Sequence, residues 1–302
     1  MKDEQRIKNL TPPEGMIDAV LDTDAYNEID DQFAIAYMLK SPERISVKAL
    51  FAAPFHNSRS SGAKDGMEKS YQEIGKLLSL MNLSVPTHRG SECYLPDENT
   101  PVDSPAAREL IRLAECYSPE KPLYVVAIGA ITNVASALLL APEIAENIVV
   151  VWLGGHAYHY RDTKEFNMRQ DIAAARAVVS SGVPFVQLPC FGVVSSFTVS
   201  KPELEYWLAG KTALSDYLAK NAIEEADSYA KGRPWTRVIW DVTAVGWLLN
   251  REGRFMEERF ECAHLPTYDG FYEPAPSLPR LKYVYHIDRD ALIEDMINKI
   301  LA

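Results

Sequence analysis

Along the chain, short apolar runs alternate with longer stretches of helical period. That alternation predicts an α/β fold. Residues 16–21 (MIDAVL), 45–53 (ISVKALFAA), 123–128 (LYVVAI) and 148–153 (IVVVWL) are expected as strands, the last being the most strand-like run. Shorter strands are predicted at VPTHRG and PFVQLP. Between them lie helical patterns: the stretch after Asp31, residues 64–81 with Met67, Tyr71, Ile74, Leu77 and Leu78 on one face, and TNVASALLL. Ser104 and Pro105 give a helix-start signal, and a further helix is expected over 171–181. Residues 235–250 read as helical and apolar on most sides, and 266–280, rich in proline, as a surface loop. No repeat, low-complexity tract or linker divides the chain, so a single domain spanning 1–302 is expected.

Composition narrows the classes. A chain of 302 residues with 47% hydrophobic content can bury a sizeable core. Its net charge of −11 argues against a general nucleic-acid or anionic-membrane surface. No run of about 18 apolar residues predicts a membrane span. The first sixteen residues lack the apolar stretch of a secretory signal, and Cys93, Cys116, Cys190 and Cys262 form no redox or metal-ligand pair. A cytoplasmic location is the resulting expectation.

The unusual chemistry begins at DTDAYNEIDD, five acids in ten residues: Asp22, Asp24, Glu28, Asp30 and Asp31. The group falls between a buried strand and a helix. One Asp capping the helix would explain one acid and leave the others repelling each other. An all-oxygen ligand set suits calcium or magnesium better than zinc, so a metal site is the favoured reading. Other polar residues also follow strands directly: His56 and Asn57, Thr132 and Asn133, and the loop His156 to Asn167. In doubly wound sheets that end of the strands is where ligands bind. Asp241 lies in the apolar run VIWDVTAVGWLL, where an unpaired carboxylate is costly. A buried salt bridge to an arginine and a distant metal ligand are equally open for it. Met67, Met81 and the helix aromatics read as core, and isolated histidines as structural. Gly154-Gly155 lacks the residues of a phosphate loop.

With these residues in view, the chain resembles the inosine-uridine-preferring nucleoside hydrolase family from Met16 to about Asn250. VLDTD…DD is similar to the family's opening D-x-D…D-D, and AIGAITNVASAL to its Thr-Asn turn and helix. VVVWLGG…EFN…D resembles its Gly-rich strand end, and IWDVTAVGWLL its late helix carrying an Asp. The resemblance implies a mixed, mainly parallel sheet flanked by helices and a homodimer or homotetramer. It implies a calcium ion held by Asp24, Asp31, Asp241 and the main-chain oxygen of Thr132. Asp30, Glu165 and Asn167 would hold ribose hydroxyls, Asn57 would be a ribose or nucleophile-pocket residue, and Asp22 would support the site. Two departures stand out. The family usually places Pro-Gly and one further residue between Asp24 and the paired Asp, whereas AYNEI here is two residues longer and carries Glu28. Pyrimidine-accepting members often have a histidine just before the late Asp, where this chain has Trp240, expected either as a substrate-binding residue whose ring would favour purines or as core filling of an apolar helix.

The expected reaction is hydrolysis of a ribonucleoside to ribose and free base, with Asp24 as general base. His56, His88, His156 and His159 are the candidates for a leaving-group acid. A haloacid-dehalogenase-type phosphotransferase also opens with D-x-D but continues with Gly-Thr or Thr-Val rather than Ala25-Tyr26-Asn27. A non-catalytic nucleoside- or sugar-binding protein of the same fold is the other alternative.

Overall fold

The computed structural model describes residues 2–302. The strands are β1 (Ile17–Thr23), β2 (Ile45–Ala52), β3 (Thr87–Arg89), β4 (Leu123–Ala127), β5 (Ile148–Leu153), β6 (Phe185–Leu188), β7 (Thr198–Ser200), β8 (Thr236–Val238), β9 (Met256–Glu261), β10 (His264–Pro266), β11 (Tyr272–Pro274) and β12 (Leu281–Ile287). The helices are α1 (Asp3–Asn9), α2 (Asp30–Leu39), α3 (Ala63–Met81), α4 (Pro105–Ala114), α5 (Thr132–Leu140), α6 (Phe166–Gln170), α7 (Ile172–Ser180), α8 (Lys201–Trp207), α9 (Ala213–Ala230), α10 (Val242–Leu248) and α11 (Arg289–Leu301).

One eight-stranded sheet, ordered β3-β2-β1-β4-β5-β6-β12-β9, organises the chain. Its pairings are parallel except at the edge, where β9 runs antiparallel to β12. Helices cover both faces, which is why the central strands are apolar at every position rather than at alternate ones. In β4, Leu123, Val125 and Ala127 join one core, while Tyr124 and Val126 join the other. β5 divides in the same way, Val150 and Trp152 to one side and Val149, Val151 and Leu153 to the other. The strand order turns back on either side of β1: β2 was laid down on one flank and β4 on the other. A crevice opens at such a reversal, beyond the carboxyl ends of β1 and β4.

Two expectations need correction. The region 235–250 is not one helix: Thr236–Val238 pair antiparallel with Thr198–Ser200, and helix resumes only at Val242. Its β-branched residues Thr236 and Val238 favour the ladder, and the partner strand is contributed from far away in sequence. The stretch 266–280 is not a plain surface loop, because it carries the turn and the second strand of the β10/β11 hairpin. From that hairpin the Tyr272 hydroxyl donates to the His156 carbonyl at 3.1 Å, so this hairpin braces the loop after β5.

Candidate active site

The floor of the crevice is made of carboxylates. Thr23 and Asp24 leave the end of β1, and Asp30 and Asp31 form the first turn of α2. Asp241 arrives from the start of α10. Carboxylate oxygens of Asp30, Asp31 and Asp241 lie within 4.8 Å of one another, and all three residues are buried. None of the three caps its helix through its side chain. Asp241 does not pair with an arginine either: Arg237, four residues earlier on β8, binds Glu28 at 2.7 Å and Glu225 at 3.2 Å. Thr23 Oγ1 donates to Asp31 Oδ1. Asp24 is fully buried and neither of its carboxylate oxygens has a hydrogen-bond partner.

Burial, reinforced by the neighbouring carboxylates, pushes Asp24, Asp30 and Asp241 well above the usual carboxylate range. Burial also raises Asp31 to about 6, partly offset by its hydrogen bonds. Acids this crowded and this dry stay ionised only beside a cation. The donor set, oxygen throughout, is that of a hard divalent ion. The residues present therefore fit a hard divalent cation of the calcium or magnesium type.

A second layer holds this cluster in place. Asn133, at the start of α5, donates to Asp22 Oδ1 at 2.7 Å and to the Ala52 carbonyl at 3.3 Å, while its Oδ1 accepts from the Ser91 backbone N–H and hydroxyl. Burial raises Asp22 to about 7, against the Asn133 bond. Thr132 Oγ1 donates to Asp171 Oδ2 at 2.7 Å, and Asp171 in turn caps α7.

The wall toward β5 carries Glu165 and Asn167. Glu165 precedes α6 and accepts from the backbone N–H groups of Asn167, Met168 and Gly155 at 2.8–2.9 Å. Burial raises its carboxyl, and those three bonds act in the opposite direction. Asn167 Nδ2 donates to the carbonyls of Ile128 and Leu153, both at 3.1 Å, bridging the loops after β4 and β5. Gly155 has φ +76°, and a Cβ there would stand 2.1 Å from the Tyr272 hydroxyl, so both conformation and space require glycine.

A cavity of about 300 Å³ lies above the cluster. Asp30, Glu165, Asn167, Trp240 and Asp241, all anticipated from the sequence, line it. Asn57 does not: its amide donates to Asn27 Oδ1 at 2.6 Å, and Asn27 is the lining residue. Glu28 also lines the cavity, tied to Arg237. Asn27, Cys190 and Phe191 were missed: Asn27 lies inside the acidic stretch but is overshadowed by its carboxylates, and nothing near Cys190 and Phe191 distinguishes them from ordinary loop residues. Trp240 meets Phe191 edge-on at 5.4 Å between centroids. Phe191 stacks on Tyr160 at 5.7 Å and packs against His156 at 4.9 Å. Among the four candidate histidines only His156 lines the cavity, while His88 on β3 packs edge-on against Phe51 of β2 and His56 and His159 are exposed.

Residues 19–270 match the family model of the inosine-uridine preferring nucleoside hydrolases. The chain belongs to that family. The pyrimidine-specific ribonucleoside hydrolase RihA of Escherichia coli O81 (strain ED1a) is 27% identical, with 90% of this chain and 94% of the relative covered. The protein of the same name from Shigella flexneri is 24% identical over the same shares. Among solved structures, a plant nucleoside hydrolase, PpNRh1, superposes with a TM-score of 0.75 at 17% identity, covering 96% of this chain and all of the other. A purine-preferring ribonucleoside hydrolase from Gardnerella vaginalis gives 0.74 at 19%, covering 94% and 98%. As a nucleoside hydrolase of divergent sequence, this chain is assigned by family and fold to ribonucleoside hydrolysis. No helix among the described residues is long and apolar enough to cross a membrane.

Proposed function

We propose that this nucleoside hydrolase is a calcium-dependent ribohydrolase in which Asp24 is the general base and purine ribonucleosides are the favoured substrates. The observation that carries the reading is Asp24 itself, buried with two unpartnered carboxylate oxygens beside three more buried acids. Asp24, Asp31, Asp241 and the Thr132 carbonyl would hold the ion, which supplies a Lewis-acidic centre that lowers the pKa of a water and fixes sugar hydroxyls.

The protein's own groups do the rest. Asp24 takes a proton from the attacking water. Asp30, Glu165 and Asn167 engage the ribose hydroxyls, and because the Glu165 carboxylate and the Asn167 amide are already held by the backbone, those two are organised before substrate arrives. Positive charge that develops on the sugar as the C–N bond opens meets a strongly acidic floor, which favours the transition state over the neutral substrate. On the base side, Trp240 and Phe191 offer faces and edges suited to a large ring. The RihA relatives are named for pyrimidine specificity, but the resemblance places a histidine of pyrimidine-accepting members where Trp240 stands.

Ribose release from inosine, followed with calcium present and after chelation, tests the reading. Turnover should vanish with chelation and return with calcium. Asp24→Asn should fold and lose roughly 10²–10⁴-fold in kcat. Tight nucleoside binding without ribose release would identify a binding protein, and release of phosphate from a phosphate ester would identify a phosphatase.

A further inference from the structure

The leaving base needs a partner, and the cavity offers few. The acids lie on the floor and hold the sugar. Trp240 carries an N–H that does not ionise at neutral pH. Burial pushes the Cys190 thiol up. Lys164 and Arg169 also line the cavity but are exposed, and the Asn27 amide is engaged by Asn57. His156 is the buried donor: it is 4% exposed, it lines the cavity, and it stands on the aromatic wall with Phe191 and Tyr160 each at 4.9 Å. Its own chain neighbour, Gly155, donates its backbone N–H to Glu165 at 2.9 Å. The imidazole is thus one residue from the ribose clamp, where the base must sit.

Its orientation carries chemical information. The Phe191 backbone N–H donates to His156 Nδ1 at 3.3 Å. A nitrogen that accepts from a backbone N–H cannot bear a proton of its own, so the ring is neutral and its single hydrogen is on Nε2. Burial lowers the pKa of His156, in agreement. Nε2 is 3.9 Å from Asp162 Oδ1, beyond direct hydrogen-bond reach, and Asp162 pairs with Arg161 at 3.3 Å. The Nε2–H donor is left free for a ligand.

We infer that His156 is the leaving-group residue of this enzyme and that it acts as a neutral hydrogen-bond donor through Nε2–H, not as an imidazolium acid. The C1′–N bond breaks with its electron pair remaining on the base, and a ring nitrogen or carbonyl oxygen of the departing base accepts the hydrogen bond. His156 keeps its proton. Water adds its oxygen to C1′, its proton passes to Asp24 and then to solvent, and the released base takes one proton from solvent. A neutral electrophilic imidazole held by the backbone is an established way to stabilise developing negative charge.

The inference rests on the ribohydrolase reading, and one experiment separates the two. The enzyme with calcium is assayed on inosine and on 4-nitrophenyl riboside, whose leaving group departs as a stable anion without assistance. His156→Ala should lose about 10–100-fold in kcat on inosine, the worth of a hydrogen bond to a charged group. On the aryl riboside it should lose less than about threefold. His156→Gln places an amide N–H near the Nε2 position and should recover most of the inosine rate, with a KM within about threefold of the original. Equal losses on both substrates would make His156 structural and overturn the inference. A Gln variant no better than Ala would also overturn it, because an imidazolium acid is the one role an amide cannot fill. A wild-type enzyme silent on both substrates takes the ribohydrolase reading down as well.

Discussion

Asp24, Asp31 and Asp241 could be singled out before any coordinates because a carboxylate beside a buried apolar run is expensive, and expense of that kind is visible in a sequence. Trp240 was equally visible as a departure from a pattern. Asn27 was not, since its importance comes from the Asn57 amide that fixes it at 2.6 Å across a gap of thirty residues. His156 was one candidate among four, and only the Phe191 N–H and the cavity distinguish it. At this scale the base preference can be tested. Trp240 and Phe191 present an aromatic corner, and stacking on a larger ring is worth more, roughly 1 kcal/mol or somewhat over per aromatic pair. Inosine and guanosine should therefore exceed uridine and cytidine in kcat/KM, and Trp240→Ala should narrow that ratio by about 5–10-fold. A measured preference for uridine in the unaltered enzyme would reverse the assignment and make Trp240 core packing.

The elements that carry the site were legible where one face or both faces of a strand are buried by their own sequence. β1, β4 and β5 are of this kind, buried along nearly their whole length. The elements missed depend on partners distant in the chain. β8 is three residues long and exists because Thr198–Ser200 lie beside it. β12, LKYVYHI, mixes charge and aromatics, yet Lys282 is buried because it pairs with Glu258 at 3.0 Å on β9. A tight constraint between elements is at Gly90, after β3. A Cβ there would meet the Ala52 carbonyl oxygen at 2.0 Å and Asn133 Nδ2 at 2.4 Å. Both are fixed, the first by the end of β2 and the second by its bonds to Asp22 and Ser91. Gly90→Ala should thus destabilise the fold by roughly 1–3 kcal/mol or more. It should also raise the KM for nucleoside, because the shift falls on the residue that orients Asp22. Thermal unfolding within a degree of the unaltered protein would show that the β3 turn yields freely.

Across the whole molecule, the acidic floor is a liability that a cation converts into a joint. Asp24 comes from the end of β1, Asp30 and Asp31 from α2, and Asp241 from α10, so one ion would tie together three segments of which the last is more than two hundred residues away. Without it, the buried carboxylates repel across that junction or must take up protons to stay there. An ion that binds the folded but not the unfolded chain stabilises by about 2.7 kcal/mol at a hundredfold excess over its Kd. For a chain of this size that corresponds to several degrees in Tm. Calcium should accordingly raise Tm by at least that much over the chelated protein, with magnesium less effective because it demands a smaller, stricter cage. Asp241→Asn removes one charge from the cluster and relieves repulsion. The variant should be as stable as the original in chelator, or more so, while losing most of the calcium-dependent rise. The substitution thus lowers Tm with calcium and does not lower it in chelator, a split that a merely structural Asp241 cannot produce: an ordinary buried hydrogen-bonding Asp would lower Tm equally with and without calcium. Scanning calorimetry of both proteins, each with calcium and with chelator, gives the four values needed, and a calcium-induced rise that persists unchanged in Asp241→Asn would remove this residue from the ion's shell.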